Sequence, residues 1–470
     1  MKKIFYISII LFAVGLSSCD KMLNYPPDGA ILAEDALKTP EDAQRLLNSC
    51  YDVMANVFDG SYQNLSELLS NNLAVPNGLD FQSVYNKETN FFTPTTNGVY
   101  SDFYYAIYRC NSLLENFGLI EGLSEAEQSR MEAEARFIRA FCHWHVAKLW
   151  AQPYGYTTDN SHLGIVIRDK ASNQPLPRNT VAEVYDFIQS ELEFCANQLP
   201  ESNGNYATAN AAKGALAMLH FQMRNYNTAI QYCDQLISPS LFEDTLLDRF
   251  PGSEDGLVAL PNKETIFGIV SFDNDLRTDD LIGNYNAAGV LPPNLTLWDD
   301  PTYSSSIELE NPFYSFVMVN SADKRKNWLG TNGGRKTLTR FSDKVVFNIP
   351  LIYQTELMLI RAEAIAYAQP SRLGEAIQDI NLIRTRAYSQ DNSIPTSSNA
   401  DEIKAAARRE YRIETIGEGK WLDFFRRLAV EGVVTDIRNA PWNCPGMALQ
   451  FPNNEFTGAS FVGNPEGGCN

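Results

Sequence analysis

The chain has 470 residues, with 38 Lys and Arg against 57 Asp and Glu, and its formal net charge at pH 7 is −19. It is 44% hydrophobic and 20% charged, a composition typical of folded proteins that excludes wholesale disorder. The acidity argues against a nucleic-acid partner and against charge-driven docking on an anionic membrane, because both need a basic protein face.

The N-terminus has the pattern of a bacterial lipoprotein signal. Lys2 and Lys3 precede a short apolar run over residues 4–16, and Leu16-Ser17-Ser18-Cys19 follows. This predicts a signal peptide over residues 1–18 and a lipid on Cys19, the first residue of the mature chain. The alternative is an ordinary cleaved signal in which Cys19 is incidental. The run is too short for a membrane-spanning helix, which needs about 20 apolar residues.

Eight cysteines are present, and seven are left if Cys19 carries a lipid. An odd number in an exported protein leaves at least one free thiol. Cys444 and Cys469 both lie in the C-terminal tail, over residues 431–470, and are our candidate disulfide. There is no CxxC motif, which argues against a cysteine zinc site.

Helical periodicity dominates the first part of the mature chain. Thr39-Pro40 gives an N-cap and a proline at the first helical position, and Thr180 to Glu183 is a capping box. Apolar residues then recur every three or four positions. The pattern predicts helices over residues 40–58, 102–117, 125–150 and 181–199.

Two later segments resemble each other. Each is a helix, a short turn and a second helix: Ala209–Met223 with Tyr226–Gln231, and Thr355–Ala368 with Leu373–Gln378. Small alanines at matching positions let paired helices approach closely, as in tetratricopeptide-type repeats. The two units lie far apart in the chain. We therefore expect a mainly α fold, with a helical scaffold over about residues 36–240 and 350–430.

A loop-rich insertion interrupts this scaffold over about residues 241–349. It is rich in Asn, Asp, Gly and Pro, with short strands expected over residues 265–272 and 344–349. A second irregular stretch covers residues 71–100. Long loops in a compact domain are usually functional or disordered, and disordered segments seldom carry many aromatic residues. The aromatic content therefore favours function.

Signatures of catalysis are scarce. The chain has no GxSxG, HExxH or P-loop motif. His143 and His145 are two residues apart, so on a helix they point to different sides and cannot share a metal. We expect no metal and no cofactor. The neighbours Asp299 and Asp300 are either a sugar-binding or hydrolytic pair or solvated turn residues.

Aromatic and amide side chains are the main candidates for ligand contact. A ring can stack on the apolar face of a sugar while Asn and Asp bond its hydroxyl groups. The candidate stacking residues are Tyr85, Tyr100, Trp298, Tyr303 and Trp328, and the candidate hydrogen-bonding residues are Asn72 and Asp80. The alternative is that these rings pack the loops onto the helices.

Several motifs, in order along the chain, resemble the SusD/RagB family of outer-membrane lipoproteins. They are Glu134–Phe141 with Trp150 and Pro153–Gly155, Tyr206–Thr208 with Ala211–Gly214, Leu357–Ala364, Ile380–Ala387, Glu410–Asp423, Phe451-Pro452 and Asn464-Pro465. Two positions depart from the family pattern. The Glu418-Gly419-Lys420-Trp421 spacing is one residue short, and Tyr353-Gln354 stands where the family often has Arg-Tyr.

The resemblance implies a single SusD-like domain over residues 19–470, with four tetratricopeptide-like helical pairs and irregular ligand-binding loops. It implies a lipid-anchored, cell-surface protein of the outer membrane that is not an enzyme. Such proteins act as lids on a SusC-like TonB-dependent transporter, with the helical pairs facing the transporter.

The leading hypothesis is capture of an oligosaccharide and its delivery to that transporter. Capture of peptides or another nutrient by the same lid mechanism is the first alternative. An all-α glycoside hydrolase and a helical-repeat scaffold that binds only protein are further alternatives. A hydrolase would need two carboxyl groups about 5 Å or about 6.5–9.5 Å apart in a cleft.

Overall fold

The computed structural model describes residues 37–75, 81–245, 247–252, 258–271, 278–285, 295–342, 344, 346–458 and 460–469. The predicted signal peptide, Cys19 and Asp80 lie outside the described residues.

Helices dominate the described chain. In order they are α1 (Pro40–Val57), α2 (Ser61–Leu69), α3 (Gln82–Tyr85), α4 (Pro94–Asn116), α5 (Glu125–Trp150), α6 (Val181–Gln198), α7 (Ala209–Gln222), α8 (Tyr226–Leu236), α9 (Asp279–Tyr285), α10 (Phe313–Met318), α11 (Gln354–Ala368), α12 (Leu373–Ala387), α13 (Ala400–Glu414) and α14 (Trp421–Val430).

The strands are short and pair in twos, all antiparallel. They are β1 (Leu73–Ala74), β2 (Thr265–Ile269), β3 (Thr296–Leu297), β4 (Leu329–Asn332), β5 (Arg335–Leu338), β6 (Ile349–Tyr353), β7 (Asp436–Ile437) and β8 (Ala440–Pro441). Within the described residues β1 pairs with β3, β2 with β6, β4 with β5 and β7 with β8.

Local sequence signals explain where the helices begin. Thr39 and Thr180 each accept a hydrogen bond from the third helical residue, whose carboxylate bonds back, so both predicted caps are confirmed. The helix expected from residue 102 begins earlier, at Pro94, because proline is favourable at the first helical position.

Within the described residues, eight of the helices pack as four pairs: α1 with α4, α5 with α6, α7 with α8, and α11 with α12. Neighbouring pairs meet through α4 and α5, α6 and α7, and α8 and α11. Ala217, Ala229, Ala364 and Ala376 are all fully buried, as expected for close approach within tetratricopeptide-like pairs. The predicted mainly α fold is confirmed.

The insertion contacts the scaffold through the β2–β6 sheet. Phe267 of β2 packs edge-on against Phe137 of α5, with ring centroids 4.9 Å apart. The first expected strand is observed as β2, whereas the second lies further along the chain, as β6. All five residues of β6 are buried, so its side chains do not alternate between core and solvent. Without that alternation the sequence did not show where the strand begins, and its predicted position was wrong.

Buried ion pairs attach the insertion to the C-terminal helices. Arg325 is almost completely buried and pairs with Asp323, Glu410 and Glu414 at 2.6–2.9 Å. Arg249 pairs with Glu414 and with Glu418, both at 2.8 Å. We call the set formed by Arg249, Asp323, Arg325, Arg340, Arg386, Glu410, Glu414 and Glu418 the arginine–carboxylate cluster.

The two departures from the family pattern involve this cluster, because one of them begins with its member Glu418 and the other contacts it. The Tyr353 hydroxyl donates to Glu418 at 2.7 Å, and Lys420 pairs with Glu356 at 2.5 Å. Both positions therefore take part in buried polar contacts of the scaffold.

Cysteines and histidines are mostly structural. Cys444 and Cys469 form a disulfide that closes the C-terminal tail. The described free cysteines are all buried: Cys50, Cys110, Cys142, Cys195 and Cys233.

Both His143 and His145 are buried, each with Nδ1 bonded to a carbonyl oxygen of its own helix.

No helix in the described ranges is both long enough and apolar enough to cross a membrane.

Candidate ligand-binding site

A pocket of about 460 Å³ lies where the two irregular stretches meet. We call it the loop pocket. The β1–β3 sheet, the end of α3 and the turn between β4 and β5 form its walls. Its lining residues are Ala74, Val75, Tyr85, Thr296, Leu297, Trp298, Asp299, Asp300, Pro301, Gly334, Arg335 and Lys336.

The β1–β3 sheet positions Trp298. Leu73 pairs with Leu297, and the Trp298 amide donates to the Asn72 carbonyl oxygen at 2.8 Å, so Trp298 continues the β3 edge. Its side chain is 5% exposed and packs edge-on against Tyr303, with ring centroids 5.0 Å apart. Trp298 therefore forms a fixed wall of the loop pocket rather than a free platform.

Tyr303 is half-buried beside this wall. Its amide donates to the Asp300 carbonyl oxygen at 3.2 Å, which closes a turn. Burial, together with the nearby carboxylates of Glu310 and Asp436, raises the pKa of Tyr303 to about 12. Its hydroxyl group is therefore protonated at neutral pH and can donate a hydrogen bond.

Tyr85 ends α3 and is half-buried at the pocket wall. The Arg438 guanidinium lies over its ring, 4.1 Å from the centroid. Arg438 also donates to the carbonyl oxygens of Tyr85 and Leu68, both at 2.8 Å. These contacts hold the Tyr85 ring in one orientation without a ligand.

The loop pocket has both acidic and basic groups in its lining. Asp299 is exposed, whereas Asp300 accepts from the Thr302 amide at 2.9 Å and from its hydroxyl at 2.7 Å. These hydrogen bonds lower the pKa of Asp300. Two cations, Arg335 and Lys336, come from the β4–β5 hairpin.

The turn of that hairpin depends on glycine. Gly333 and Gly334 have φ values of 56° and 80°, in the left-handed region that other residues rarely adopt. The turn brings Arg335 to the pocket and places the Lys336 ammonium 4.3 Å from the Tyr314 ring centroid.

Rings with adjacent hydrogen-bonding groups suit a polyhydroxylated ligand. Asp300 itself is poorly suited to act as a general acid, because that role needs a raised pKa and the pKa of Asp300 is lowered. Among the described residues there is no cluster of side chains suited to hold a metal ion.

The structure brings part of the predicted set together. Tyr85 and Trp298, predicted from separate stretches, both line the loop pocket, and Tyr303 contacts Trp298. Asp80 lies outside the described residues. The other three predicted residues are buried elsewhere.

The burial of Tyr100 does not fit the prediction that it contacts a ligand. It is 2% exposed, its ring packs against Trp150 at 5.3 Å, and its hydroxyl donates to Glu455 at 3.2 Å. The sequence contained a signal for this position, because Tyr100 is in helical phase with the buried Phe103 and Ile107 of α4.

Trp328 and Asn72 also have structural contacts. The Trp328 ring is buried under the Arg340 guanidinium, which lies 4.2 Å from its centroid. The Asn72 side chain is fully buried, donating to Glu67 at 2.7 Å and accepting from Arg412 at 3.3 Å. Neither side chain faces the loop pocket, which does not fit their predicted role.

The two cations of the loop pocket were not among the binding residues predicted from the sequence. Arg335 and Lys336 follow Gly333-Gly334, a dipeptide typical of a tight hairpin turn between strands. That signal predicts the hairpin, but only the tertiary fold places its tip beside Trp298.

Two family models match the chain. One, described as SusD-like and starch-binding, associating with the outer membrane, matches residues 29–221, and the SusD family model matches residues 342–441. SusD-like protein P2 of Formosa agariphila is 26% identical over 476 residues, covering 90% of each chain. A SusD-like protein of Bacteroides ovatus is 24% identical over 405 residues, covering 77% of this chain and 68% of the other.

Solved structures have the same fold. A SusD superfamily protein from Bacteroides vulgatus superposes with a TM-score of 0.74 at 19% identity, covering 91% of this chain and 99% of the other. A SusD-like carbohydrate binding protein from the same organism gives a TM-score of 0.66 at 20% identity, covering 83% and 84%.

Proposed function

The chain belongs to the SusD/RagB family, and on that premise we propose that it captures an oligosaccharide in the loop pocket and is not an enzyme. The observation that carries the proposal is the convergence of Tyr85 and Trp298 on one cavity of about 460 Å³. Both rings are held in place by contacts within the protein, so little conformational entropy is lost when a sugar stacks on the half-buried Tyr85 ring and contacts the wall that Trp298 forms.

The lining favours a ligand without net charge. Two carboxylates, Asp299 and Asp300, are matched by two cations, Arg335 and Lys336. The net charge of the chain, −19, further disfavours polyanionic ligands through long-range repulsion. A neutral oligosaccharide satisfies both conditions and uses the charged groups as hydrogen-bonding partners.

Delivery to a SusC-like TonB-dependent transporter is the second part of the proposal. It is supported by the lipoprotein pattern ending at Cys19 and by the description of the matched family model as associating with the outer membrane. In this proposal a lipid on Cys19 anchors the protein at the cell surface. Purification of the tagged protein from native membranes is expected to recover a large β-barrel transporter, and a Cys19→Ala variant is expected to recover much less.

Titration calorimetry with a panel of neutral oligosaccharides tests the ligand. We expect at least one member to bind, and Tyr85→Ala to weaken that binding about tenfold. Trp298→Ala is expected to weaken it more, and Trp298→Phe, which keeps the buried packing, separates ligand contact from folding. Tyr108→Ala is the matched control, because Tyr108 is exposed on α4 and lines no part of the loop pocket.

Two results would contradict the proposal. One is the absence of binding across the panel, and the other is unchanged binding by the folded Tyr85 and Trp298 variants.

A peptide is the second candidate ligand. The observation in its favour is the exposed pair Asp299 and Arg335, which could bind the charged ends of a short peptide. A peptide panel in the same titration distinguishes the two, because peptide binding should weaken in Arg335→Ala and fall steeply with salt.

A further inference from the structure

We infer that the chain has a second carbohydrate-binding site, in a groove along β2, at the edge that pairs with no other strand of the described residues. We call it the strand groove. Its larger part has a volume of about 710 Å³ and lies between β2 and the loop that joins α6 to α7. Ligand sites in proteins typically measure about 300–1,000 Å³, so this volume accommodates an oligosaccharide.

The strand groove continues towards α1. An adjoining space of about 470 Å³ shares the residues from Gly204 to Tyr206 and from Phe267 to Val270, and it extends to Asn48, Tyr51 and the charged Asp52 of α1. The Tyr206 ring lines both parts. None of the residues lining either part also lines the loop pocket, so the two sites do not share a wall.

The chemistry of the lining identifies the ligand class. Among the described residues, none that lines the larger part of the strand groove carries a formal charge, although 20% of the chain is charged. The polar groups are amides and hydroxyls, from Asn205, Asn262, Asn348 and Ser271. Uncharged hydrogen-bonding groups beside an aromatic ring suit a neutral, polyhydroxylated ligand and give no counter-charge to an ionic one.

Tyr206 is held in place before any ligand arrives. Its amide donates to the Asn203 carbonyl oxygen at 3.1 Å, and the next amide, of Ala207, donates to the Tyr51 hydroxyl at 3.0 Å. Its ring packs against Tyr51 with centroids 4.9 Å apart. Tyr51 in turn donates to Glu134 at 2.7 Å, which fixes the whole arrangement to α5.

One polar group of the lining is unsatisfied. The Ser271 hydroxyl is buried and has no hydrogen-bond partner within the described part of the chain. A buried hydroxyl left without a partner is unfavourable, because the hydrogen bonds that it made with water are not replaced. A ligand hydroxyl that reaches this end of the strand groove would supply the missing bond.

An extended peptide is the competing occupant, because a free strand edge can pair with another strand. The geometry of β2 argues against it. The pairing of β2 with β6 shifts register twice, between Thr265 and Phe267 and again between Phe267 and Gly268. Such irregularities bend a strand and interrupt the regular spacing of its free groups, which disfavours strand addition.

The inference takes only its ligand class from the proposed function. Its test distinguishes failure of the strand groove from failure of the loop pocket. A variant with Tyr85→Ala and Arg335→Ala disables the loop pocket, and the panel of neutral oligosaccharides is titrated against it by calorimetry. We expect this variant to retain binding of at least one oligosaccharide. Adding Tyr206→Ala should weaken that residual binding at least about tenfold.

Asn205→Arg provides a second disruption that is independent of folding. Asn205 is exposed, and the substitution introduces a charge into the larger part of the strand groove, whose described lining residues are uncharged, without disturbing the core. It should weaken the residual binding as well, whereas Tyr108→Ala should leave it unchanged. Thermal unfolding confirms that each variant is folded.

The inference is overturned if the loop-pocket variant binds no oligosaccharide while the wild type does, which leaves the proposed function intact. It is also overturned if folded Tyr206→Ala and Asn205→Arg variants keep the residual affinity, or if only extended peptides occupy the strand groove. Loss of all oligosaccharide binding in Tyr206→Ala alone, with none lost in the Tyr85→Ala and Arg335→Ala variant, would instead contradict the loop pocket as the capture site.

Discussion

The helical pairs and the loop-rich insertion are stabilised in different ways. The paired helices bury apolar residues at regular intervals, with fully buried alanines such as Ala217 and Ala364 where the helices approach closely. The insertion has short two-stranded sheets, and its attachment to the C-terminal helices depends on the arginine–carboxylate cluster. Apolar burial is nondirectional and recurs along the chain. An ion pair forms only where two particular charged groups meet in the right geometry.

This difference matters for the candidate site. The loop pocket belongs largely to the insertion, so its shape depends on specific ionic contacts made far along the chain. Glu414 is central, because it accepts from Arg249, Arg325 and Arg386 at 2.8–3.0 Å. Burial alone would raise its pKa, but the guanidinium groups outweigh burial and lower the pKa to about 2.

The largest expected effect comes from Glu414→Gln. Removal of this carboxylate leaves buried guanidinium groups undercompensated, and we expect a loss of about 3–5 kcal/mol in the free energy of unfolding. Urea denaturation measures the loss. Hydrogen exchange should show faster opening in residues 323–342 before the paired helices exchange. Glu375→Gln, which removes a more exposed pair with Arg372, should cost less than about 1 kcal/mol.

The scaffold should respond differently to a change in its apolar core. Ile380 of α12 is fully buried, and Ile380→Ala is expected to cost about 3 kcal/mol because it leaves a cavity. Urea denaturation should show one cooperative transition, without early opening of the insertion. Ile380→Val is the matched control, with a cost near 1 kcal/mol. Selective opening of the insertion in Ile380→Ala would remove the distinction between the two regions.

Glu67 gives a smaller effect on stability. Its pKa is raised by the fold, whereas that of Glu414 is lowered. Glu67 is fully buried and accepts from Asn72 and from the Gly419 amide, and burial raises its pKa to about 7. In the unfolded chain the Glu67 carboxyl has its ordinary pKa of 4.5. The folded state therefore holds the proton longer, and stability should fall as pH rises from about 4.5 to about 7.

Comparison with Glu67→Gln isolates this contribution. The wild type should lose roughly 2–3 kcal/mol more than the variant across that pH range, measured by urea denaturation at several pH values. Identical pH profiles for the two proteins would contradict a raised pKa for Glu67.

The smallest expected effect on stability comes from Tyr85→Ala. Its half-buried ring contacts Arg438 at the surface of the loop pocket, and we expect a cost of about 1 kcal/mol in unfolding. Oligosaccharide affinity should fall about tenfold in the same variant. A large stability loss with unchanged affinity would assign Tyr85 to the fold instead of the site.

Much of the scaffold was predictable from the sequence, because caps and periodic apolar residues are local signals. Thr39, Thr180 and the helix over Glu125–Trp150 are observed where the pattern places them. The ion pairs were not predictable, since Arg249 and Glu414 are far apart in the chain and charged residues of this kind are usually at the surface.

The candidate site was predictable only in part. Aromatic residues in loops pointed to Tyr85 and Trp298, which do line one pocket. The same signal also selected Trp328, whose ring is buried against Arg340. Residue type does not show which side of a loop faces the core. Whether an aromatic ring lines the pocket or packs in the core is therefore determined by tertiary contacts.

A crystal structure of the protein saturated with the tightest-binding neutral oligosaccharide tests the central claim most directly. We predict a sugar ring in the loop pocket against Trp298 and Tyr85, with hydroxyl groups within hydrogen-bonding distance of Asp299 or Arg335. An empty loop pocket, with the oligosaccharide bound only elsewhere on the molecule, would contradict this account.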